Sequence, residues 1–288
     1  MNVAILSGGT GWHVQDLLRA ARQIDISASA IDFRTLSGAC PAPPNYCDLL
    51  ADFSAVVVRT MPGGSLEQVV LRMDMLHAAA ARGQMVFNPP RAVETCVDKF
   101  LTNVRLHQAG LPVPRTIVCQ TWQDAMQGFE QLGGDVVVKP IFGSEGRGLI
   151  RLTDRELAWR TYQAIGQTGG AIYLQEYLNH PGWDVRAFVL NGKVIAAMKR
   201  TAKNDWRTNL AQGGTAEPMT LAASENDLAT RAAAATGAVV AGIDLIQNEA
   251  GNWFVLEVNA VPGWKALSQV CDIDVSVAIL RLLQEFAR

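Results

Sequence analysis

The sequence of 288 residues has few of the features that mark secreted, zinc-binding or membrane proteins. Its five cysteines are an odd number, lie far apart and form no CxxC pair, which argues against a disulfide framework or a zinc site. No apolar run approaches the ~20 residues that a membrane-spanning helix needs. The first residues have neither the basic region nor the long apolar stretch of a signal peptide. We therefore expect a cytoplasmic protein without a membrane partner.

A strong charge of either sign is also lacking. The formal net charge is -2 at pH 7, so the composition gives no sign of a general nucleic-acid or membrane-surface binder. Hydrophobic residues make up 49% of the chain, which is ordinary for a globular protein with a large core. We therefore expect no nucleic-acid partner, and any positive charge that matters for function has to be local.

Two common nucleotide-binding signatures are incomplete. Gly8, Gly9 and Gly11 lack the GxGxxG spacing of a dinucleotide site, and Asp32 is the nearest match to the acidic residue expected ~20 positions later. Lys139 precedes a group of glycines, whereas the lysine of a GxxxxGK[ST] loop follows them. We interpret the amino-terminal glycines as a turn that lines a substrate pocket, with a Rossmann oxidoreductase as the alternative.

Strand and helix patterns alternate over the first 90 residues. Short apolar runs at 3–6, 55–58 and 86–87 predict strands, and helical patterns at 14–24 and 66–81 separate them. Strands separated by helices indicate a parallel sheet. A break at Asn88, Pro89 and Pro90 ends this segment.

The rest of the chain divides into two further segments. The second is predicted to contain a helix through Lys99, an extended stretch at 116–119, a helix at 121–132 and a strand at 136–139. The third opens with strands at 184–190 and 193–199 around Asn191 and Gly192, a strong two-residue turn signal. Later patterns predict strands at 243–246 and 253–258 and a helix at 275–286. We predict an α/β protein with α+β elements and three domains, at 1–90, 91–178 and 179–288.

Oxygen-bearing side chains near the carboxy terminus suggest a metal site. Glu257 and Asn259 lie two residues apart on a predicted strand and therefore share one face. Asp244, on the neighbouring strand, can add a third oxygen ligand, and such a set suits Mg²⁺. The alternative is a solvent-facing strand pair. The apolar residues that alternate with this set are expected on the opposite face: Phe254, Leu256 and Val258.

Two lysines and a glycine-rich loop suggest phosphate binding. Lys139 closes an apolar strand, and the glycines that follow permit a backbone that aims several N–H groups at one anion. Lys99 lies on the predicted helix of the same segment. The alternatives are a flexible hairpin turn and a solvated helix lysine.

The predicted hairpin carries further charges. Asp184 and Arg186 lie on one face of its first strand. With a two-residue turn, Lys199 faces them and Arg200 points to the other side, unless a bulge intervenes. Exposed ion pairs explain the same charges without a function. Which of the two basic residues reaches a phosphate therefore stays open at this point.

The order of these groups along the chain resembles the ATP-grasp superfamily, and specifically its RimK-like amino-acid ligases. The resemblance spans nearly the whole chain, and its most specific stretches are 189–200, 206–214, 242–246 and 256–263. It implies an ATP-grasp fold with an amino-terminal pre-ATP-grasp, Rossmann-like domain, a central small domain and a carboxy-terminal domain. The nucleotide is then expected between the last two.

The resemblance also implies ATP and Mg²⁺, commonly two ions, with Mn²⁺ as a substitute. Phosphate contacts are implied for Lys99 and Lys139, with the loop residues Gly143, Ser144, Gly146 and Gly148. Contacts to the adenine and the rest of the nucleotide are implied for Gln175, Glu176, Tyr177, Leu178, Asp184, Lys199 and Arg207. Catalytic roles are implied for Arg186, Arg200 and Asn209, and metal binding for Asp244, Glu257 and Asn259. No protein nucleophile is expected.

Within this group, residues 199–214 are most similar to the α-L-glutamate ligases. That similarity implies L-glutamate as the amine and a small-molecule carboxylate, such as that of tetrahydromethanopterin, as the acceptor. Glutamylation of a ribosomal protein's carboxy terminus is the closest alternative, followed by another carbon–nitrogen ligase and a nucleotide-binding regulatory module without turnover. The resemblance also implies a homodimer or homotetramer.

Overall fold

The computed structural model of the chain describes residues 1–143, 146–203, 205–208, 210 and 213–287 and contains three β-sheets. Two of the predicted site residues, Ser144 and Asn209, lie outside the described residues. No described helix is long and apolar enough to cross a membrane.

The amino-terminal sheet is parallel, as predicted. Its four strands, in the order β2-β1-β3-β4, are β1 (Asn2–Ser7), β2 (Ser27–Asp32), β3 (Ala55–Val58) and β4 (Met85–Phe87). Helices α1 (Trp12–Gln23) and α2 (Leu66–Ala81) connect them. Ser65 begins α2 with a capping box to Gln68, which satisfies backbone N–H groups that the helix itself cannot.

The middle sheet is antiparallel and is covered by helices on one face. Its strands are ordered β5-β8-β6-β7, and they are β5 (Thr116–Cys119), β6 (Val136–Lys139), β7 (Ile150–Leu152) and β8 (Ile172–Glu176). Helices α5 (Trp122–Gln131) and α6 (Arg155–Gln167) bury one face in a core that includes Phe129, Tyr162 and Leu174. The other face carries Lys139 and Gln175, which line a cleft.

The carboxy-terminal sheet has five strands in the order β11-β10-β9-β12-β13. Asn191 and Gly192 have φ angles of 48° and 71°, so the two-residue turn predicted between β9 and β10 is confirmed. The strands are β9 (Trp183–Leu190), β10 (Lys193–Thr201), β11 (Thr215–Pro218), β12 (Val240–Gln247) and β13 (Trp253–Asn259). The helices of this part are α7 (Ala223–Thr236), α8 (Lys265–Cys271) and α9 (Val275–Phe286).

Two further helices, α3 (Pro90–Val97) and α4 (Lys99–Gln108), join the first and middle parts of the chain. Asp98 begins α4, because its carboxylate accepts hydrogen bonds from the backbone N–H groups of Phe100 and Leu101. Both helices pack against β13 and α7, and Cys96 and Leu106 are buried in the core of the carboxy-terminal sheet. The domain boundaries at residues 90 and 178 stay a prediction.

Asn88 ties the amino-terminal sheet to the carboxy-terminal one. Its side chain is 1% exposed and donates to the carbonyl oxygens of Val240 (2.6 Å) and Ala260 (2.5 Å). Its oxygen accepts from the backbone N–H groups of Val239 and Val240 at 2.7 and 2.8 Å. Ala260 directly follows β13, so this contact fixes the end of the strand that carries Glu257 and Asn259.

Candidate active site

A cleft between the middle and carboxy-terminal sheets brings together most of the residues predicted to form the site. It encloses about 900 Å³, with open solvent at its mouth included. The predicted residues that line it come from both sheets and from α4: Lys99, Lys139, Gly143, Gly146, Gln175, Glu176, Tyr177, Leu178, Asp184, Arg207, Asp244 and Glu257. Groups that are spread along the sequence are therefore brought together at one cleft of the fold.

The two lysines lie together in the cleft in partly desolvated positions. Burial lowers the pKa of Lys139 to about 8, although the carboxylate of Glu257 opposes the shift. Burial also lowers the pKa of Lys99. The Lys99 ammonium donates to the carbonyl oxygens of Gly143 at 2.7 Å and Ile141 at 3.4 Å, which holds it against the glycine-rich loop. Two cations in one cleft fit a polyanionic ligand such as a nucleotide phosphate chain.

The stretch from Gln175 to Leu178 forms the wall of the cleft. Glu176 is held by Arg115, whose backbone N–H and Nε donate to its carboxylate at 2.7 and 2.6 Å. The ring of Tyr177 lies 3.5 Å from the Arg151 guanidinium carbon. Gln175 is 2% exposed, and its side chain is turned toward Lys139. The side chains of all three are therefore occupied by protein partners.

A buried network of two arginines and two aspartates lies under the cleft. Arg200 binds Asp184 through two hydrogen bonds of 2.8 and 2.5 Å and lies 3.1 Å from Asp244. Arg186 also donates two hydrogen bonds to the Asp244 carboxylate, one of them 2.8 Å long. Burial alone raises the pKa of Asp244, but Arg186 and Arg200 outweigh it and hold that pKa below its usual value. Burial likewise opposes the charge of Arg200, and the two aspartates raise its pKa above normal.

A β-bulge determines which basic residue of β10 faces this network. The pairing of β9 with β10 shifts between Val194 and Ala196, so that Arg200 lies opposite Asp184. In a register without the extra residue, Lys199 would lie opposite Asp184. Instead, the Lys199 ammonium is on the opposite face, 3.2 Å from Glu217 and 5.2 Å from the centre of the Trp183 ring. Lys199 does not line the cleft, and the nucleotide contact predicted for it has no support in the structure.

A second bulge, in β13, changes which of its side chains share a face compared with the prediction. The pairing with β12 shifts after Asp244, which lies opposite Glu257, while Leu245 lies opposite Val255. Leu256 is the extra residue and lines the cleft beside Glu257. The expectation that Leu256 shares a face with Val258 is therefore wrong, because Val258 is buried in the core on the other side of the sheet.

Glu257, Asp244 and Asn259 offer the oxygen atoms predicted for a metal. Asp244 and Glu257 face each other across two strands, and the Asn259 side-chain oxygen accepts from the Val261 N–H at 2.8 Å. Among the described residues no group of three His, Cys, Asp or Glu side chains could hold an ion by itself. Two carboxylates and one amide suit Mg²⁺, a hard cation that commonly takes further oxygens from substrate phosphates and water.

Several residues that line the cleft were not predicted. Trp206 lies 6.0 Å and His180 lies 5.9 Å from Tyr177, measured between ring centres, so an aromatic group borders one side of the cleft. Trp206 lies within a stretch that the resemblance singled out, whereas no local pattern marks His180. Gly148, with φ at 74°, is not among the lining residues. The other unpredicted lining residues are Val137, Pro140, Arg147, Leu149, Thr208, Ile246 and Leu256.

Solved structures with the same architecture include several ATP-grasp proteins. The RimK domain ATP-grasp protein from Sphaerobacter thermophilus aligns with a TM-score of 0.77 over 98% of each chain, at 22% identity. The ATP-grasp ligase PsnB, solved with a minimal precursor, Mg and ADP, aligns with a TM-score of 0.75 at 20% identity, over 99% of this chain and 97% of its own. At these identities the similarity establishes the fold.

Sequence comparison identifies the family. Residues 96–283 match the RimK-like ATP-grasp domain. A tetrahydromethanopterin:alpha-L-glutamate ligase of Methanosarcina acetivorans is 31% identical over 95% of this chain and 95% of its own length. A probable alpha-L-glutamate ligase of Mannheimia succiniciproducens is 31% identical over 82% of this chain and 78% of its own. The chain therefore belongs to the RimK-like ATP-grasp family and is an ATP-dependent carboxylate–amine ligase.

Proposed function

We propose that the protein joins L-glutamate to the carboxylate of a soluble pterin cofactor of the tetrahydromethanopterin type. The observation that carries this proposal is the 31% identity to the Methanosarcina acetivorans ligase over 95% of both chains. That similarity extends through the amino-terminal sheet, where we expect acceptor specificity, whereas the match to the family domain begins only at residue 96. The protein is accordingly proposed to be cytoplasmic. The unpaired state of its five cysteines supports that location.

The reaction begins with the acceptor carboxylate, which attacks the γ-phosphorus of ATP and releases ADP. Both reactants are anionic, so the step needs positive charge placed where they meet. We assign the phosphate contacts to Lys99 and Lys139, which line the cleft. Arg200 and Arg186 are proposed to act beside the γ-phosphate, and their charges are largely compensated in the structure by Asp184 and Asp244.

The second step forms the amide bond. The α-amine of glutamate attacks the carbonyl carbon of the acyl-phosphate, inorganic phosphate leaves with the C–O bond electrons, and the amine loses a proton. Water competes with the amine for the same carbon, so the walls of the cleft have to exclude it. The apolar residues Val137, Ile246 and Leu256 that line the cleft support this role.

Asp244, Glu257 and Asn259 are proposed to hold Mg²⁺, and we extend this proposal to two ions and to substitution by Mn²⁺. When bound, the metal neutralises phosphate charge and orients the phosphate chain. Asp244 is engaged by two arginines, while Glu257 faces the cleft and forms no ion pair within the described part of the chain. We therefore assign the first metal contact to Glu257.

Glutamylation of a protein's carboxy terminus is the second candidate. The probable alpha-L-glutamate ligase of Mannheimia succiniciproducens, at 31% identity over 82% of this chain, supports glutamate as the amine and is compatible with either acceptor. We further propose a homodimer or homotetramer. Exposed apolar residues on α2, Leu66 (79%), Val70 (48%) and Leu71 (51%), favour a contact between copies.

The proposal is tested by ADP release from Mg²⁺-ATP with L-glutamate and one of three acceptors: a reduced tetrahydromethanopterin-type pterin, a ribosomal-protein tail peptide, or none. We expect ADP only with the pterin, together with a product that is heavier by one glutamyl unit. Turnover with the peptide alone transfers the activity to the second candidate. Saturable Mg²⁺-ATP binding without turnover on either acceptor rejects both acceptors.

A further inference from the structure

A buried chain of hydrogen bonds ends on the ammonium group of Lys139. The Lys139 Nζ donates to the Gln175 side-chain oxygen at 2.5 Å. The amide nitrogen of Gln175 in turn donates to the Thr116 hydroxyl at 3.0 Å and to the Tyr173 hydroxyl at 3.3 Å. Asn103 donates to the same two hydroxyls, at 3.0 and 2.7 Å. Of these residues, Gln175, Tyr173 and Asn103 are 2%, 1% and 7% exposed.

The single hydrogen of the Thr116 hydroxyl determines the orientation of the Gln175 side-chain amide. The Thr116 hydroxyl has one hydrogen, and it donates this to the Pro114 carbonyl oxygen at 3.0 Å. Its oxygen can therefore only accept from the amides of Gln175 and Asn103. The Gln175 NH₂ group must then point to Thr116, so the Gln175 oxygen points to Lys139. In the reverse orientation, the Gln175 NH₂ group would face the Lys139 ammonium and the Gln175 oxygen would face the Thr116 oxygen. Both contacts are repulsive.

Strand register explains why this contact forms. Tyr173 and Gln175 lie two residues apart on β8 and share a face, with Lys139 opposite Tyr173 and Thr116 opposite Gln175. The Gln175 oxygen thus reaches Lys139 along a diagonal between neighbouring strands. The opposite face of the same strand, including Leu174, is packed in the apolar core between the sheet and its helices. The polar chain is therefore built into the middle sheet.

The chain also reaches the helix that carries the second lysine. Asn103 lies on α4, one turn after Lys99, and its bonds to Tyr173 and Thr116 fasten that helix to the middle sheet. Lys99 donates to the carbonyl oxygens of Ile141 and Gly143, which follow Lys139 on the glycine-rich loop. The helix that carries Lys99 is therefore anchored to the middle sheet by the same polar chain that reaches Lys139.

We infer that Gln175 is a positioning residue, whose side-chain oxygen holds the Lys139 ammonium toward the phosphates of the nucleotide and makes no contact with the adenine. This inference rests on the proposed function, because it takes Lys139 to bind phosphate. The family resemblance implies an adenine contact for the stretch from Gln175 to Leu178, and the inference gives the Gln175 side chain a separate role that acts through Lys139.

The test compares a ligand that has phosphates with one that has none. Gln175→Met removes the oxygen and keeps an apolar chain of similar length. We expect it to weaken ADP binding about tenfold, the effect of losing one charge-assisted hydrogen bond, and to change adenosine binding by less than about twofold. Calorimetry with Mg²⁺-ADP measures the first ligand, and competition against a fluorescent nucleotide measures the second. Leu174→Met, at an equally buried site on the opposite face of β8, is the matched control and should change neither.

A double-mutant cycle shows whether the effect passes through the lysine. In a Lys139→Met background, Gln175→Met should weaken ADP binding by no more than about twofold further. Gln175→Glu keeps an oxygen facing Lys139 but turns its second oxygen toward the Thr116 hydroxyl, so it should bind ADP more tightly than Gln175→Met and less tightly than the wild type. If Gln175→Met does not fold, Thr116→Val tests the same chain one bond further away, with an expected loss of about threefold for ADP and none for adenosine.

Equal losses for adenosine and ADP assign Gln175 to the base and overturn the inference. So does a Gln175→Met protein with wild-type ADP affinity, or an undiminished effect of Gln175→Met in the Lys139→Met background. If Lys139→Met itself binds ADP normally, the phosphate role in the proposed function is wrong, and the positioning role falls with it. A loss in Lys139→Met without a loss in Gln175→Met rejects only the positioning role.

Discussion

The charge of Lys139 makes nucleotide binding sensitive to pH. Burial lowers the pKa of this lysine to about 8 in the free protein, and phosphate binds the ammonium form. Phosphate binding therefore raises that pKa, so ADP binding takes up a proton above pH 8. We expect the affinity for Mg²⁺-ADP to be constant below pH 8 and to fall above it by up to about tenfold per pH unit. Calorimetric titration between pH 7 and pH 9.5 in buffers of different ionisation enthalpy measures both the affinity and the proton uptake.

Lys139→Arg is the control for this prediction, because a guanidinium group keeps its charge throughout that range. The alkaline fall should shrink in the variant to the part that Lys99 contributes, since burial lowers the pKa of Lys99 as well. An unchanged fall in Lys139→Arg, or a fall that begins only near the ordinary lysine pKa, contradicts the assignment to Lys139.

The two carboxylates proposed to bind metal should respond differently to neutralisation. Asp244→Asn leaves Arg186 and part of Arg200 without a counter-charge in a buried network, so it should lower the free energy of unfolding by about 3 kcal/mol as well as abolish ligation. Glu257→Gln should lose ligation with little change in stability. Urea unfolding and ADP-release assays on both variants measure the two effects. Wild-type turnover in both would falsify the metal assignment.

Several residues that the sequence singled out for the site lie together in the fold, while the roles predicted for them stay predictions. Lys99, Lys139, Asp184, Asp244 and Glu257 were predicted from their spacing and their family resemblance, and the fold brings them to one cleft. The partner of Gln175 was not predictable, because it depends on the single hydroxyl hydrogen of Thr116 and on the register of three strands. His180 follows β8 without any local pattern, so only the fold places it at the cleft.

The bulge in β10 places two neighbouring basic residues, Arg200 and Lys199, on opposite faces of the sheet. It puts Arg200 into two hydrogen bonds with Asp184, while Lys199 meets Glu217, which is 62% exposed at its side chain. We expect Arg200→Lys to lower the free energy of unfolding by about 2 kcal/mol, because an ammonium cannot make the bidentate contact. Lys199→Arg should change it by less than about 0.5 kcal/mol. Equal losses measured by urea unfolding argue against the bulged register.

Several elements with long helical or fully apolar sequences have the bounds that were predicted for them. Strand β3 and helices α2 and α9 have the predicted bounds, because their patterns are long or fully apolar. Strand β2 was not predicted: its sequence is Ser-Ala-Ser-Ala-Ile-Asp, and it is an edge strand with no fully buried side chain. The bulges after Val194 and Asp244 were left open or missed, because a bulge is set by pairing between strands and leaves no local period.

For the whole molecule, one core spans the first and third predicted segments. One apolar core joins Val3 and Val57 of the amino-terminal sheet to Phe188 of the carboxy-terminal sheet and Leu280 of α9. Asn88 and Arg59 reinforce this junction, since Arg59 donates to the Pro262 carbonyl oxygen at 2.8 Å. The core of the middle sheet, in contrast, lies entirely within residues 117–174. Sequence periodicity shows which face of an element is buried but not which other element covers it, so this division was not predictable.

The core that the amino- and carboxy-terminal sheets share predicts that the two sheets unfold together. The amino- and carboxy-terminal sheets should exchange amide hydrogens as one cooperative unit, because opening either exposes the core that both build. The middle sheet should form a second unit that opens at lower urea concentration, because a core of about 60 residues buries a smaller fraction of its surface. Hydrogen-exchange mass spectrometry at increasing urea separates the units through peptides from β1, β8 and β12. Mg²⁺-ADP should raise the protection of β8 most, since Lys139 and Gln175 of the middle sheet line the cleft. Separate exchange of β1 and β12 would mean that the contacts of Asn88 and the common core do not couple the two sheets.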